Sequence, residues 1–158
     1  RLKAQQNQEE PKPEETLKVG DSVTSGNVKY RVTDAQKKLA EAYGVDSRRA
    51  RTLKVAAAVT ISGERVSVTS IAANAFKGMK KLEKVTIGTN VSKIGKNAFS
   101  GDSKLKSIQI KSKKLTSVGK GALKNISAKA VIKVPKSKKK AYTSLLKGKG
   151  QKKSVKIK

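Results

Sequence analysis

Two stretches of the chain carry the same line. Val68 to Ile87 and Val91 to Ile110 match position by position: Ile71 with Ile94, Phe76 with Phe99, Leu82 with Leu105 and Ile87 with Ile110, each pair 23 residues apart. A third, degenerate copy follows at a spacing of 24, with Val118, Leu123 and Val134 in the places of Ile94, Phe99 and Ile110. A unit this short cannot bury its apolar face alone. Successive units must stack so that each covers the next, and the repeat therefore commits the chain to a solenoid.

Alternation within one unit assigns its parts. Lys84-Val85-Thr86-Ile87 alternates polar and apolar residues, which predicts a strand with Val85 and Ile87 turned inward. Gly88 to Asn90 reads as a turn, and Val91 to Ile94 as a second short extended piece. Asn97-Ala98-Phe99-Ser100-Gly101 is too short for a stable α-helix and reads as one helical or 3₁₀ turn closed by glycine. Parallel strands are predicted from Leu53 to Val55, Val85 to Ile87, Ile108 to Ile110 and Ile132 to Val134, with Phe76, Phe99 and Leu123 stacked in a buried column. A period of roughly 20–29 residues containing Leu-x-x-Val/Ile-x-Ile marks a leucine-rich solenoid.

Asn-Ala-Phe-x-Gly followed by Leu-x-x-Val/Ile-x-Ile resembles the BspA-like leucine-rich repeats of bacterial surface proteins, over about residues 17–158. The resemblance implies an α/β solenoid: a right-handed leucine-rich-repeat coil with parallel strands, short helical turns, an N-terminal β-hairpin cap and a C-terminal helix cap. It also implies a secreted or cell-surface bacterial protein with a binding or adhesion role. The family often carries Cys after the glycine of the helical turn. This chain has Met79 and Asp102 there, a local change of core volume on which no chemistry is expected to depend.

The flanks of the repeat read as follows. Residues 1–16 are rich in Gln, Glu, Lys and Pro without apolar periodicity, which predicts a flexible linker. A single leucine-rich-repeat domain is expected over 17–158, with an N-terminal cap and first coil over 17–67, repeats over 68–134 and a C-terminal cap over 135–158. Val19 to Val23 and Val28 to Val32 flank Ser25-Gly26, and Ala58 to Ile61 and Arg65 to Val68 flank Ser62-Gly63-Glu64; both are hairpin signals. Residues 37–43 contain good helix formers before Gly44, whereas the resemblance implies a strand returning against Val28 to Val32; the residues alone leave both open. Lys136 to Leu146 has helical spacing with Ala141, Leu145 and Leu146 on one face, and Ser154 to Ile157 reads as a last short strand. The chain starts at Arg1 without Met and without a signal peptide, so a fragment or mature form is expected.

Composition narrows the function classes. The formal charge is +27, with no His, no Cys and few aromatic residues. Without His there is no Ser-His-Asp or Cys-His arrangement and no imidazole metal site, and no glycine pattern marks a nucleotide loop. The carboxylates Glu64, Glu83 and Asp102 show no pairing, and none follows Lys104. No enzyme, catalytic residue, cofactor or metal is therefore expected. No apolar run reaches the roughly 18 residues of a membrane span. Asn90 and Asn125 head glycosylation-type triplets, read as chance in a Ser- and Asn-rich repeat.

Lysines are the one unusual surface feature. The outward columns of the sheet are expected to be Lys54, Lys84, Ser107 and Val131, then Thr86, Gln109 and Lys133. The candidate binding face is Lys54, Lys84, Thr86, Ser107, Gln109 and Lys133. Candidate polyanion contacts are Lys111, Lys113, Lys114, Lys136, Lys138, Lys139 and Lys140, because potentials add over a surface of one sign. The expected function is a non-catalytic, monomeric binding or adhesion module with a host or envelope protein or glycan as ligand, and with affinity for anionic wall polymer. The alternative is a non-specific nucleic-acid or polyanion-binding protein. Specific nucleic-acid reading is not expected, since stacking aromatics are scarce and Lys far outnumbers Arg.

Overall fold

A computed structural model describes residues 16–158; the linker expected over 1–16 lies, but for Thr16, outside them. Strands β1 (Ser22–Ser25), β2 (Val28–Asp34), β3 (Leu39–Val45), β4 (Thr52–Val55), β5 (Ala58–Ile61), β6 (Glu64–Ile71), β7 (Lys84–Ile87), β8 (Lys93–Ile94), β9 (Ser107–Ile110), β10 (Ser117–Val118), β11 (Val131–Lys133) and β12 (Lys156–Ile157) form two sheets. Sheet one runs β12-β11-β9-β7-β4 and is parallel throughout, one strand for each of about five turns of a solenoid. Sheet two runs β10-β8-β6-β3-β2-β1. Its β10-β8-β6-β3 part is parallel, while β3-β2-β1 is an antiparallel meander and β5 pairs antiparallel with β6.

Residues 39–45 are a strand, antiparallel to β2 and parallel to β6. Local helix propensity loses to the ladder offered on both sides. Ala40 and Ala42 are fully buried between the sheets, where small side chains fit. The two hairpins turn at Gly26-Asn27 and Ser62-Gly63, all four at positive φ, as a tight two-residue turn matched to strand twist requires.

Ile and Val of both sheets point at each other across the interior, and the turn segments close its third side. Phe76 and Phe99 are fully buried, their ring centroids 5.5 Å apart, and Leu123 continues the column. The backbone of the turns stacks as well: Phe76 N–H donates to Ala98 C=O and Phe99 N–H to Ala122 C=O, both at 2.9 Å.

The turns are not helical, which corrects the α/β expectation; this is a β-solenoid. Two residues in the left-handed region bracket each turn: Asn74 and Gly78, Asn97 and Gly101, Gly121 and Asn125, with φ between 57° and 83°. Such a residue cannot continue a right-handed helix, and Asn and Gly tolerate it best. The degenerate third copy keeps the device by exchanging the two residue types.

Among the described residues the one α-helix is α1 (Lys139–Leu146), preceded by a 3₁₀ turn at Lys136–Lys138. Its buried face is Tyr142 and Leu146, one turn apart, with Leu145 partly buried and Ala141 exposed, against the expected face through Ala141. Tyr142 fixes this rotation: its hydroxyl accepts from Leu115 N–H at 3.0 Å and donates to Ser112 C=O at 2.7 Å. β11 ends one residue earlier than expected, at Lys133.

Candidate ligand-binding surface

Sheet one sets the register of its outward residues. Thr52, Lys84, Ser107, Val131 and Lys156 form one column. Lys54, Thr86, Gln109 and Lys133 form the other. Lys54 thus stands beside Thr86, not at the head of the Lys84 column as expected. The β5–β6 hairpin lengthens the first repeat, so the sequence period does not carry over to β4, and the pairing of Leu53 with Val85 decides the register.

The two candidate sets meet at the carboxyl ends of β9 and β11. Gln109 and Lys133, from the sheet face, and Lys111 and Lys113, from the turn cluster, line one cleft of about 260 Å³. Ile110, Val134 and Pro135 supply its apolar wall. Lys111 and Lys113 come from one coil and Lys133 from the next, whose paired strands lie about 4.8 Å apart. Lys114 is turned aside: its Nζ donates to Asn90 Oδ1 at 3.2 Å. Lys136, Lys138, Lys139 and Lys140 follow Pro135 on the 3₁₀ turn and the start of α1, outside the cleft lining. Lys54 and Lys84 belong to the exposed sheet face and do not reach the cleft.

Charge is sorted along the solenoid. The ion pairs of the described residues, Arg31–Glu41, Lys38–Glu64, Arg51–Glu83 and Lys106–Glu83, use acids no later than Glu83. Beyond Glu83 the sequence has a single acid, Asp102, and it is buried. Lys106 apart, no ion pair therefore neutralises the lysines of the C-terminal surface, and like potentials add. Among the described residues no group of His, Cys, Asp or Glu is placed to hold a metal ion. Among the described residues no helix is long and apolar enough to cross a membrane.

Residues 58–158 match the model of the BspA type leucine-rich repeat region, in six copies. The chain is a BspA-type leucine-rich-repeat protein. No curated protein sequence matches it significantly. Among solved structures it is similar to a leucine-rich-repeat protein from Bacteroides capillosus, at 18% identity and a TM-score of 0.64, covering 87% of this chain and 99% of that one. It is also similar to a leucine-rich cell surface protein from Faecalibacterium prausnitzii, at 20% identity and a TM-score of 0.58. There the match covers 73% of this chain but spans only 37% of the relative. A leucine-rich-repeat protein from Bacteroides ovatus matches at 21% identity and a TM-score of 0.55, over 73% of this chain and 38% of its own length. These likenesses establish the fold.

Within this BspA-type coil Asp102 is the residue whose chemistry the sequence reading passed over. It follows the turn glycine, in the place of Met79 in the coil before and Ile126 in the coil after, and is fully buried. Oδ1 accepts from Met79 N–H at 2.7 Å, while Oδ2 has no partner. Loss of solvation pushes its carboxyl up to about 8, against the opposing pull of the Met79 N–H and of the Arg48 and Lys80 charges. The only available signal was its mismatch with the two apolar residues in register with it.

Proposed function

We propose that the chain is a non-catalytic binding module of a bacterial surface protein, and that its lysine cleft holds anionic groups of a cell-envelope polymer. The observation that carries this reading is the convergence of Lys111, Lys113 and Lys133 on one cleft, in a part of the surface without an exposed acid. Family membership supports a partner-binding role, since solenoids present long faces to their ligands. The Faecalibacterium relative, a leucine-rich cell surface protein, supports the location. The chain spans only 37% of that relative's length.

The test is titration with polyglycerol phosphate, heparin and duplex DNA at low and high salt. Wild type is compared with a variant carrying Lys111→Ser, Lys113→Ser and Lys133→Ser. We expect salt-sensitive binding without DNA sequence preference, weakened at least about tenfold in the variant, the effect of losing contacts worth about 1.4 kcal/mol. Equal affinity of variant and wild type overturns the cleft. Tight, salt-resistant binding to one DNA sequence establishes the nucleic-acid alternative instead.

A second reading, a protein partner on the outward face of sheet one, rests on Thr86, Ser107 and Gln109. These half-buried polar residues stand in adjacent columns with no bulky neighbour between them. Such a contact survives salt, which separates it from polyanion binding.

A further inference from the structure

Sheet two carries a groove of about 370 Å³ on the opposite sheet from the lysine cleft. Strand pairing places Glu41, Ser70, Lys93 and Ser117 in one outward column, each beside the next. Lys96 stands at its edge. The floor is backbone: Ala72, Gly95 and Gly119 stack on one another at the corner of the coils. A Cβ on Gly95 would lie 2.5 Å from the backbone of Ala73, and one on Gly119 2.4 Å from that of Lys96. Close stacking thus leaves the floor bare and the flanking side chains standing as walls.

The polar groups define the ligand. Arg31 Nε holds Glu41 Oε2 at 2.6 Å, so the one acid of the groove is already neutralised. Lys93 and Lys96 form no ion pair with any described residue. The groove is therefore net positive, yet it keeps a carboxylate able to accept from hydroxyls and two serine hydroxyls that both donate and accept. The peptide groups of β3, β6 and β8 are consumed by ladders on both sides, and β10, the edge strand, is only two residues long, which disfavours an added peptide strand. No aromatic side chain lines it for stacking bases. The rungs are spaced by about 4.8 Å, close to the repeat of a linear pyranose chain. We infer that this groove is a second binding site, separate from the lysine cleft, for an acidic saccharide. Its uronate carboxylates meet Lys93 and Lys96, and its ring hydroxyls meet Glu41, Ser70 and Ser117.

The experiment uses short oligogalacturonate, its carboxyl-reduced neutral counterpart and oligoglycerol phosphate as probes. Calorimetry gives affinity, and amide chemical shifts of the wild-type chain give location. The oligouronate is expected to shift Ser70, Ile94 and Ser117. Read at those three amides, Lys93→Ser with Lys96→Ser should weaken it about tenfold or more, and Lys111→Ser with Lys113→Ser, in the separate cleft, less than about twofold. Glu41→Gln should weaken it several-fold, although it removes a negative charge. The replaced lysines are exposed and Glu41 is half-buried, and the wild-type shift map stands independently of whether any variant folds. The inference is overturned by equal losses in both lysine pairs, by tighter binding in Glu41→Gln, by oligoglycerol phosphate shifting the same residues as strongly, or by the absence of oligouronate binding. Loss of polymer binding at the lysine cleft leaves it standing.

Discussion

Asp102 is a carboxylic acid in a column of apolar side chains, and its environment sets a sign. The unfolded chain releases this proton near pH 3.8, while the folded chain keeps it up to about 8. Between those values the native state binds more protons than the unfolded one, so stability falls as pH rises and levels off above about 8. The limiting slope is about 1.4 kcal/mol per pH unit. We expect Asp102→Asn, which keeps the acceptor for Met79 N–H, to remove this dependence, so that chemical unfolding of the two chains diverges with pH between 5 and 8. Parallel curves would mean that the carboxylate is paired or hydrated. Phe99 is the opposite case, an apolar ring held between Phe76 and Leu123. Phe99→Ala should cost ~3–5 kcal/mol in denaturant unfolding. Lys106→Ala, exposed and facing Glu83 at 3.7 Å, should stay within ~0.5 kcal/mol. Equal costs would invert the assignment of inside and outside.

At the scale of elements, two kinds of glycine separate the corner from the strand. Gly95 lies where one coil rests on another, so Gly95→Ala forces backbone apart and should cost ~1–3 kcal/mol, the usual range for overpacking. Gly44 lies in β3 with nothing within 4 Å of an added Cβ and without positive φ. Gly44→Ala should be neutral or stabilise by up to ~1 kcal/mol. Thermal unfolding midpoints check the contrast, and a similar drop in both variants would refute the close-stacking account. The turns obey a different rule. Asn and Gly exchange places between Asn97–Gly101 and Gly121–Asn125 because either residue accepts the left-handed backbone. The third copy therefore looks degenerate in sequence while its geometry is retained.

For the whole molecule the dominant fact is an axis of charge. Acid–base pairs accompany the N-terminal coils, and uncompensated lysines cover the C-terminal ones. Binding to duplex DNA or a phosphate polymer should release counterions, each neutralised phosphate of duplex DNA adding roughly 0.9 to the log–log salt slope. Replacing Lys138, Lys139 and Lys140 with Ser should weaken all polyanions alike and flatten that slope without altering shape selectivity, because these side chains lie outside the cleft lining. Salt titrations of the variant measure this. An unchanged slope would place polyanion contact elsewhere on the surface.

Local pattern alone dictated that the units stack, which strand residues of the repeats face inward, and that sheet one is parallel. A 23-residue period with alternating Val and Ile admits no other way to bury Val85, Ile87, Ile108 and Ile110. These are local patterns, repeated, and each copy confirms the next. Tertiary structure alone decided what has no local signal. Residues 39–45 became a strand because open ladder positions on β2 and β6 outweighed helix propensity. Lys54 fell beside Thr86 because a hairpin insertion shifted the register. Gln109 and Lys133 of the sheet joined Lys111 and Lys113 of the turns only when the coils superposed. Glu41 met Lys93 through β6, across 52 residues of chain, to build the second groove. Contacts of this kind depend on which coil lies over which, and that is a property of the stack rather than of any one repeat.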